Sequence, residues 1–128
     1  MDIDVKNLPA TGNCFENCAR LMTDMFEAGD MELGDDWMLI HGIVHGSGKL
    51  KGFEFPHAWL RNYTTNFVLD ITNEQKMIFV AKDDYYRKGK CVPVASYDKF
   101  ATMAQLVKHG HWGPWHEDLQ FHIRRVTT

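Results

Sequence analysis

Between Phe15 and Glu27 the chain alternates at helical spacing, with Phe15, Cys18, Ala19, Met22, Met25 and Phe26 on one side and Glu16, Asn17, Arg20, Thr23, Asp24 and Glu27 on the other. This pattern predicts an amphipathic helix. Asn13 followed by Glu16 has the form of a capping box, which places Cys14 in the first turn, and Gly29 suits the left-handed position that ends a helix. A loop over 30–36 leads into Trp37-Met38-Leu39-Ile40-His41-Gly42-Ile43-Val44, an apolar and β-branched run that reads as a mostly buried strand, ended by Gly46-Ser47-Gly48. Strands are predicted over 55–61 and 67–72, joined as an antiparallel hairpin by Asn62-Tyr63-Thr64-Thr65. Two more follow over 77–81 and 90–97, separated by a helical turn at 83–88 that Gly89 closes. Phe100, Met103, Ala104 and Val107 mark a second helix, begun by Asp98 as a cap and ended by Gly110. The tail reads as irregular. With no repeat, low-complexity run or linker, residues 1–128 form a single domain of the α+β class, an N-terminal helix packed on an antiparallel sheet with a second helix near the C-terminus.

Composition agrees with one folded domain: 128 residues, 45% hydrophobic and 24% charged, enough to bury a core without a metal or a disulfide framework. No stretch approaches the ~18 consecutive apolar residues of a membrane span, and Met1-Asp2-Ile3-Asp4-Val5-Lys6 lacks the pattern of a signal peptide. The expected compartment is cytoplasmic, and the expected partners include neither membrane nor nucleic acid. The net charge of −3 argues against neutralisation of a phosphate backbone. The charge is uneven, with nine acids and two bases over 1–36 against eight acids and twelve bases over 37–128, which reads as a solvated acidic helix face beside a mildly basic sheet. Three cysteines, without an export signal, read as free thiols.

Cys14 stands out among them by context. The first turn of a helix offers unpaired backbone N–H groups and the positive end of the macrodipole, which favour a thiolate and can also receive an oxyanion. A thiol attacking a carbonyl needs both. The bland alternative is a small residue at a helix start, as Cys18 is on the apolar face one turn later. The hairpin supplies the second piece. A four-residue loop at 62–65 sets His57 directly opposite Asp70, with Cβ atoms about 4.5–5.5 Å apart, so that the carboxylate can orient the imidazole and favour its protonated form. In this register Pro56, Ala58, Leu60, Phe67, Leu69 and Ile71 share one face, and Phe55, Trp59 and Val68 lie with His57 and Asp70 on the other. A hydrogen-bonded core histidine is the competing reading, and a slip of one residue would separate the pair.

Gly12-Asn13-Cys14-Phe15 leading into a helix, then Phe55-Pro56-His57-Ala58-Trp59-Leu60 and Phe67-Val68-Leu69-Asp70-Ile71-Thr72, resembles the papain-like cysteine hydrolase superfamily, and its transglutaminase-like branch in particular. The resemblance covers about residues 11 to 73. It implies a papain-like fold with Cys14 as nucleophile, His57 as general base and then acid, and Asp70 as orienter, acting on the amide, isopeptide or thioester bond of a protein or peptide-like substrate without a cofactor. The tail, through Tyr85-Tyr86 and Gly110-His111-Trp112-Gly113-Pro114-Trp115, faintly resembles small bacterial and phage proteins. The chain departs from the family in lacking a second large lobe and a calcium-binding insertion. It also lacks a glutamine upstream of Cys14, which leaves Asn7, Asn13 or the backbone as the oxyanion donor. Two other functions remain open: a catalytically silent papain-like module that binds a partner protein, and a deamidase or acyl transferase using the same three residues.

Other groups carry weaker signals. On a strand, His41 and His45 are separated by about 13 Å, too far for one tetrahedral ion, and His109, His111 and His116 lie in a Gly- and Pro-rich segment without cysteines, so no metal is expected. Gly46-Ser47-Gly48-Lys49 is too short for a phosphate loop. Cys91 reads as a buried structural thiol, and Trp112 and Trp115 either wall a substrate groove or pin their loop to the core.

Overall fold

The computed structural model describes residues 14–27, 36–46, 50–71, 76–120 and 124–125. The predicted caps at Asn13 and Gly29, most of the 30–36 loop, Ser47, Gly48 and Thr72 lie outside them, as do the side chains at 24–27. In chain order the elements are α1 (Cys14–Glu27), β1 (Trp37–His45), β2 (Phe53–Asn62), β3 (Phe67–Ile71), β4 (Met77–Ala81), α2 (Lys82–Gly89), β5 (Val92–Tyr97), α3 (Lys99–His109), a 3-10 turn (Glu117–Leu119) and β6 (Arg124–Arg125). The strands pair antiparallel in the spatial order β4-β3-β2-β1-β5, with β6 against the start of β2. The fold is α+β.

Side-chain alternation on the central strands divides the core between two sheet faces. On one face Cys18, Ala19, Leu21 and Met22 of α1 pack against Leu39, Ala58, Leu60 and Leu69. On the other, Ile40, Val44, Trp59 and Val68 are covered by Tyr85 and Tyr86 of α2. Gly42 on β1 permits the close approach of the neighbouring strand: a Cβ there would lie 2.4 Å from the Val92 carbonyl oxygen and 2.6 Å from the Trp59 ring. The β1–β5 register shifts at the same point, between His41 and Gly42.

Three local features differ from the sequence reading. The β2–β3 loop spans 63–66, because β2 runs on to Asn62 and Asn66 takes a left-handed conformation (φ 64°), which asparagine tolerates. The Asn62 side chain accepts from the N–H groups of Thr64 and Thr65, both at 2.9 Å, and fixes the turn. At the end of α2 the left-handed residue is Lys90 (φ 47°, ψ 47°) instead of Gly89; Gly89 stays in the helix, where a Cβ would lie 2.8 Å from the Cys91 sulfur. The third concerns α3, which starts with Asp98 accepting from the Ala101 N–H at 2.7 Å and ends at Gly110, as predicted. Its apolar stripe nevertheless faces outward, with Phe100, Met103 and Val107 exposed, while Lys99 and Thr102 are buried. A helical period establishes a helix; which side it buries depends on the elements around it.

His41 is fully buried in an aromatic cage, with ring centroids 4.7 Å from Phe15, 5.1 Å from Tyr97 and 4.9 Å from Trp115. His45 faces Glu54 at 3.6 Å. Among the described residues neither ring nitrogen of His41 has a hydrogen-bond partner, and burial pushes its pKa down to about 3. Trp115 is buried and donates from Nε1 to the His111 carbonyl at 2.8 Å, while the Arg20 guanidinium lies 4.9 Å above the Trp112 ring, so both tryptophans hold their loop against the α1 side of the molecule.

Because the unfolded chain protonates His41 below about pH 6.5 and the folded chain does not, stability is present above that pH and is lost as pH falls toward 3. Replacing His41 with Leu should therefore remove about 2 kcal/mol of the stability lost between about pH 7.5 and 5. Urea denaturation of both proteins across that range checks it: equal losses in the two would show that His41 is protonated inside the fold.

Candidate functional site

Three sequence-predicted residues arrive at the site from different elements. Cys14 is the first residue of α1, His57 lies in β2 and Asp70 in β3. The pairs Leu60↔Leu69 and Arg61↔Val68 set the hairpin register two residues away from the one a 62–65 loop implies. Carried one step further, this register opposes Asp70 to Trp59, so His57 is its diagonal neighbour rather than its direct partner. A shift of two keeps every side chain on its face, and a diagonal pair remains within reach of an imidazole and a carboxylate. The contact therefore survives, with His57 Nε2 2.8 Å from Asp70 Oδ2.

The Asp70 carboxylate is buried and, among the described residues, accepts three hydrogen bonds. Oδ1 takes the Ile71 N–H at 2.7 Å, and Oδ2 takes both the His57 ring and the Tyr85 hydroxyl, the latter at 2.6 Å. Tyr85, on α2, was given no part in the site by the sequence, where it entered only in the pair Tyr85-Tyr86. The usable signal was the adjacent pair Tyr85-Tyr86 in a short helical segment next to β4, since one of two bulky rings there had to turn toward the sheet. Burial and the Asp70 charge drive the Tyr85 pKa upward, so its hydroxyl is a fixed proton donor.

With Nε2 committed to Asp70, Nδ1 is the ring nitrogen left for another partner, and Cys14 lines the same cavity as His57. Burial works against a charged imidazole here, but the Asp70 charge and hydrogen bond, with a lesser contribution from Cys14, together outweigh it and raise the His57 pKa to about 10. The ring is thus cationic at neutral pH. Its interactions stabilise the fold fully below about pH 6.5, and that contribution is lost as pH rises through about 10. Trp59, fully buried, stacks beside the ring with centroids 6.2 Å apart and is itself anchored by its Nε1 donating to the Tyr86 hydroxyl at 3.1 Å.

Cys14, His57 and Asp70 line one cavity of about 860 Å³, together with Tyr85 and Cys91. The other two thiols are held differently. Cys18 is buried, donates to the Ala58 carbonyl at 3.4 Å, and burial pushes its pKa well up. Cys91 is half-buried and faces the cavity, which corrects its reading as a buried thiol; burial, then the Asp70 charge, push its pKa up to about 12. All three cysteines are free. Asn7 and Asn13, the side-chain candidates for an oxyanion donor, lie outside the described residues. Among the described residues no group of three or more His, Cys, Asp or Glu is placed to hold a metal ion.

No family model matches the chain, and no curated protein or solved structure does so either.

Asp70→Asn removes the charge that holds the imidazolium and should lower the His57 pKa by about two pH units. Tyr85→Phe, by returning the whole of Oδ2 to His57, should raise it by a fraction of a unit. Following the His57 ring protons by NMR through a pH titration measures both. A His57 pKa unmoved by Asp70→Asn would mean that the 2.8 Å contact does not govern the ring.

Proposed function

We propose that this chain is a papain-like cysteine hydrolase, nearest in design to the transglutaminase-like branch, that cleaves an amide, isopeptide or thioester bond through an acyl-enzyme on Cys14. The observation that supports the reading is the His57 ring held by Asp70 at 2.8 Å, with Cys14 lining the same cavity, one large enough for a substrate.

The steps follow from the charges. Protonated His57 pairs with the Cys14 thiolate, which attacks the substrate carbonyl carbon. The bond to the leaving group breaks, and His57 gives its proton to that group. Water then enters, His57 takes a proton from it, and the acyl-enzyme is hydrolysed. Asp70 keeps Nε2 occupied throughout, which leaves Nδ1 to exchange protons with the sulfur and the substrate, and Tyr85 fixes the carboxylate. An amine in place of water would make the same site a transferase. Three free thiols accord with a reducing compartment such as the cytoplasm, and among the described residues no helix is long and apolar enough to cross a membrane.

A second reading, a catalytically silent module that binds a partner protein, is favoured by the outward stripe of Phe100, Met103 and Val107 on α3. Cys14→Ser separates the two, since it abolishes hydrolysis but leaves a binding function intact.

Iodoacetamide near neutral pH should modify Cys14 before Cys18 or Cys91, and His57→Ala should slow that reaction about tenfold or more, as expected when an ion-paired thiolate reverts to a thiol. Peptide mapping of the labelled protein reads both effects. Equal labelling of the three cysteines, with no effect of His57→Ala, would overturn the catalytic reading.

A further inference from the structure

We propose that the acyl group accepted by Cys14 is apolar, a chain of several carbons carried as a thioester or ester, and that the cavity Cys14 lines is its binding site. This rests on the reading of Cys14 as the nucleophile. The cavity, about 860 Å³, is walled by Val44, Leu50, Phe55, Pro56, Ile78 and Val80, contributed by β1, β2, β4 and the segment between β1 and β2. That volume and lining suit a small organic ligand held by apolar contact.

Several of the polar side chains inside already have partners. His57 and Tyr85 both bond to Asp70, the Cys91 thiol points to the Tyr85 carbonyl at 3.7 Å, and His45 faces Glu54. A carboxamide side chain desolvated against these walls would leave its own N–H and C=O groups without side-chain partners, a loss that a run of methylenes does not incur. Charged groups enter the lining from α2, where Asp84 and Lys88 stand one helical turn apart and exposed, so a polar carrier can remain in water at the mouth while the chain lies within.

The chemistry balances without a cofactor. Cys14 Sγ bonds to the acyl carbonyl carbon as the bond from that carbon to the carrier's sulfur or oxygen breaks. The electron pair leaves with the carrier, which takes the proton held on His57. Water next adds to the acyl-enzyme, returns a proton to His57 and releases the carboxylic acid, restoring the Cys14 thiolate.

The test uses the full chain and p-nitrophenyl esters from acetyl to octanoyl, reading p-nitrophenolate release and the mass of the Cys14 acyl adduct. The expected result is a kcat/KM that rises about fourfold for each methylene up to about hexanoyl, with a smaller rise per methylene in Ile78→Asn. Acylation of Cys14 at a rate independent of chain length would overturn the apolar pocket and leave the nucleophile standing. A rise unchanged in Ile78→Asn would also overturn it, by placing the chain elsewhere. Failure of every ester to acylate Cys14 would remove the catalytic reading and this inference together.

Discussion

The buried carboxylate of Asp70 is the constraint around which the site is arranged. A carboxylate taken out of water is stable only if its oxygens find donors, and here they find three from three separate parts of the chain: the next backbone N–H, the His57 ring and the Tyr85 hydroxyl. Each donor is thereby fixed in turn. The Ile71 N–H orients the carboxylate relative to β3, His57 brings in β2, and Tyr85 locks α2 across the open face of the sheet. Removing the carboxylate would leave an imidazole and a phenol buried without their acceptor, so folding and site geometry are tied to the same group.

This arrangement also explains why a register two residues away from the simplest expectation left the site intact. In a hairpin the turn sets the register, and Asn62 and Asn66 together moved the turn by one residue: Asn62 through its side-chain acceptor for Thr64 and Thr65, Asn66 through its left-handed backbone. Moving a four-residue loop by one position changes the pairing by two, an even number, so His57 and Asp70 stayed on one face. Face membership was therefore readable from alternation, while the partner across the ladder depended on which asparagine accepted the unusual backbone angle. The extent of β4 and both caps of α3 were readable for the same local reason, since each rests on the chemistry of adjacent residues. Which side of α3 would be buried was not, because Lys99 and Thr102 point inward only by virtue of what lies beside the helix.

Tyr85 and the shape of the cavity belong to that second category. Tyr85 lies fifteen residues beyond Asp70 in a helix whose period says nothing about a carboxylate. Its role exists only once β4 has paired with β3 and α2 has folded back over the sheet. Cys91 is a similar case. Nothing near it in sequence marks it as special, yet the end of α2 sets it at the cavity wall, where Gly89 leaves room for its sulfur.

The two buried histidines of the central strands show what decides the chemistry of such a residue. His41 and His57 lie on neighbouring strands, on opposite faces of one sheet, and burial opposes the positive charge of each. His41 is surrounded by Phe15, Tyr97 and Trp115, with no anion among its described neighbours, and burial acts alone to keep it neutral. His57 meets the same opposition, but a carboxylate at 2.8 Å, with a lesser contribution from Cys14, reverses the outcome and holds it cationic. Burial by itself would have left both rings neutral; at His57 the charge and hydrogen bond of the adjacent carboxylate lead the opposition to that desolvation. That is why the aspartate, rather than the histidine itself, distinguishes the charged His57 from the neutral His41.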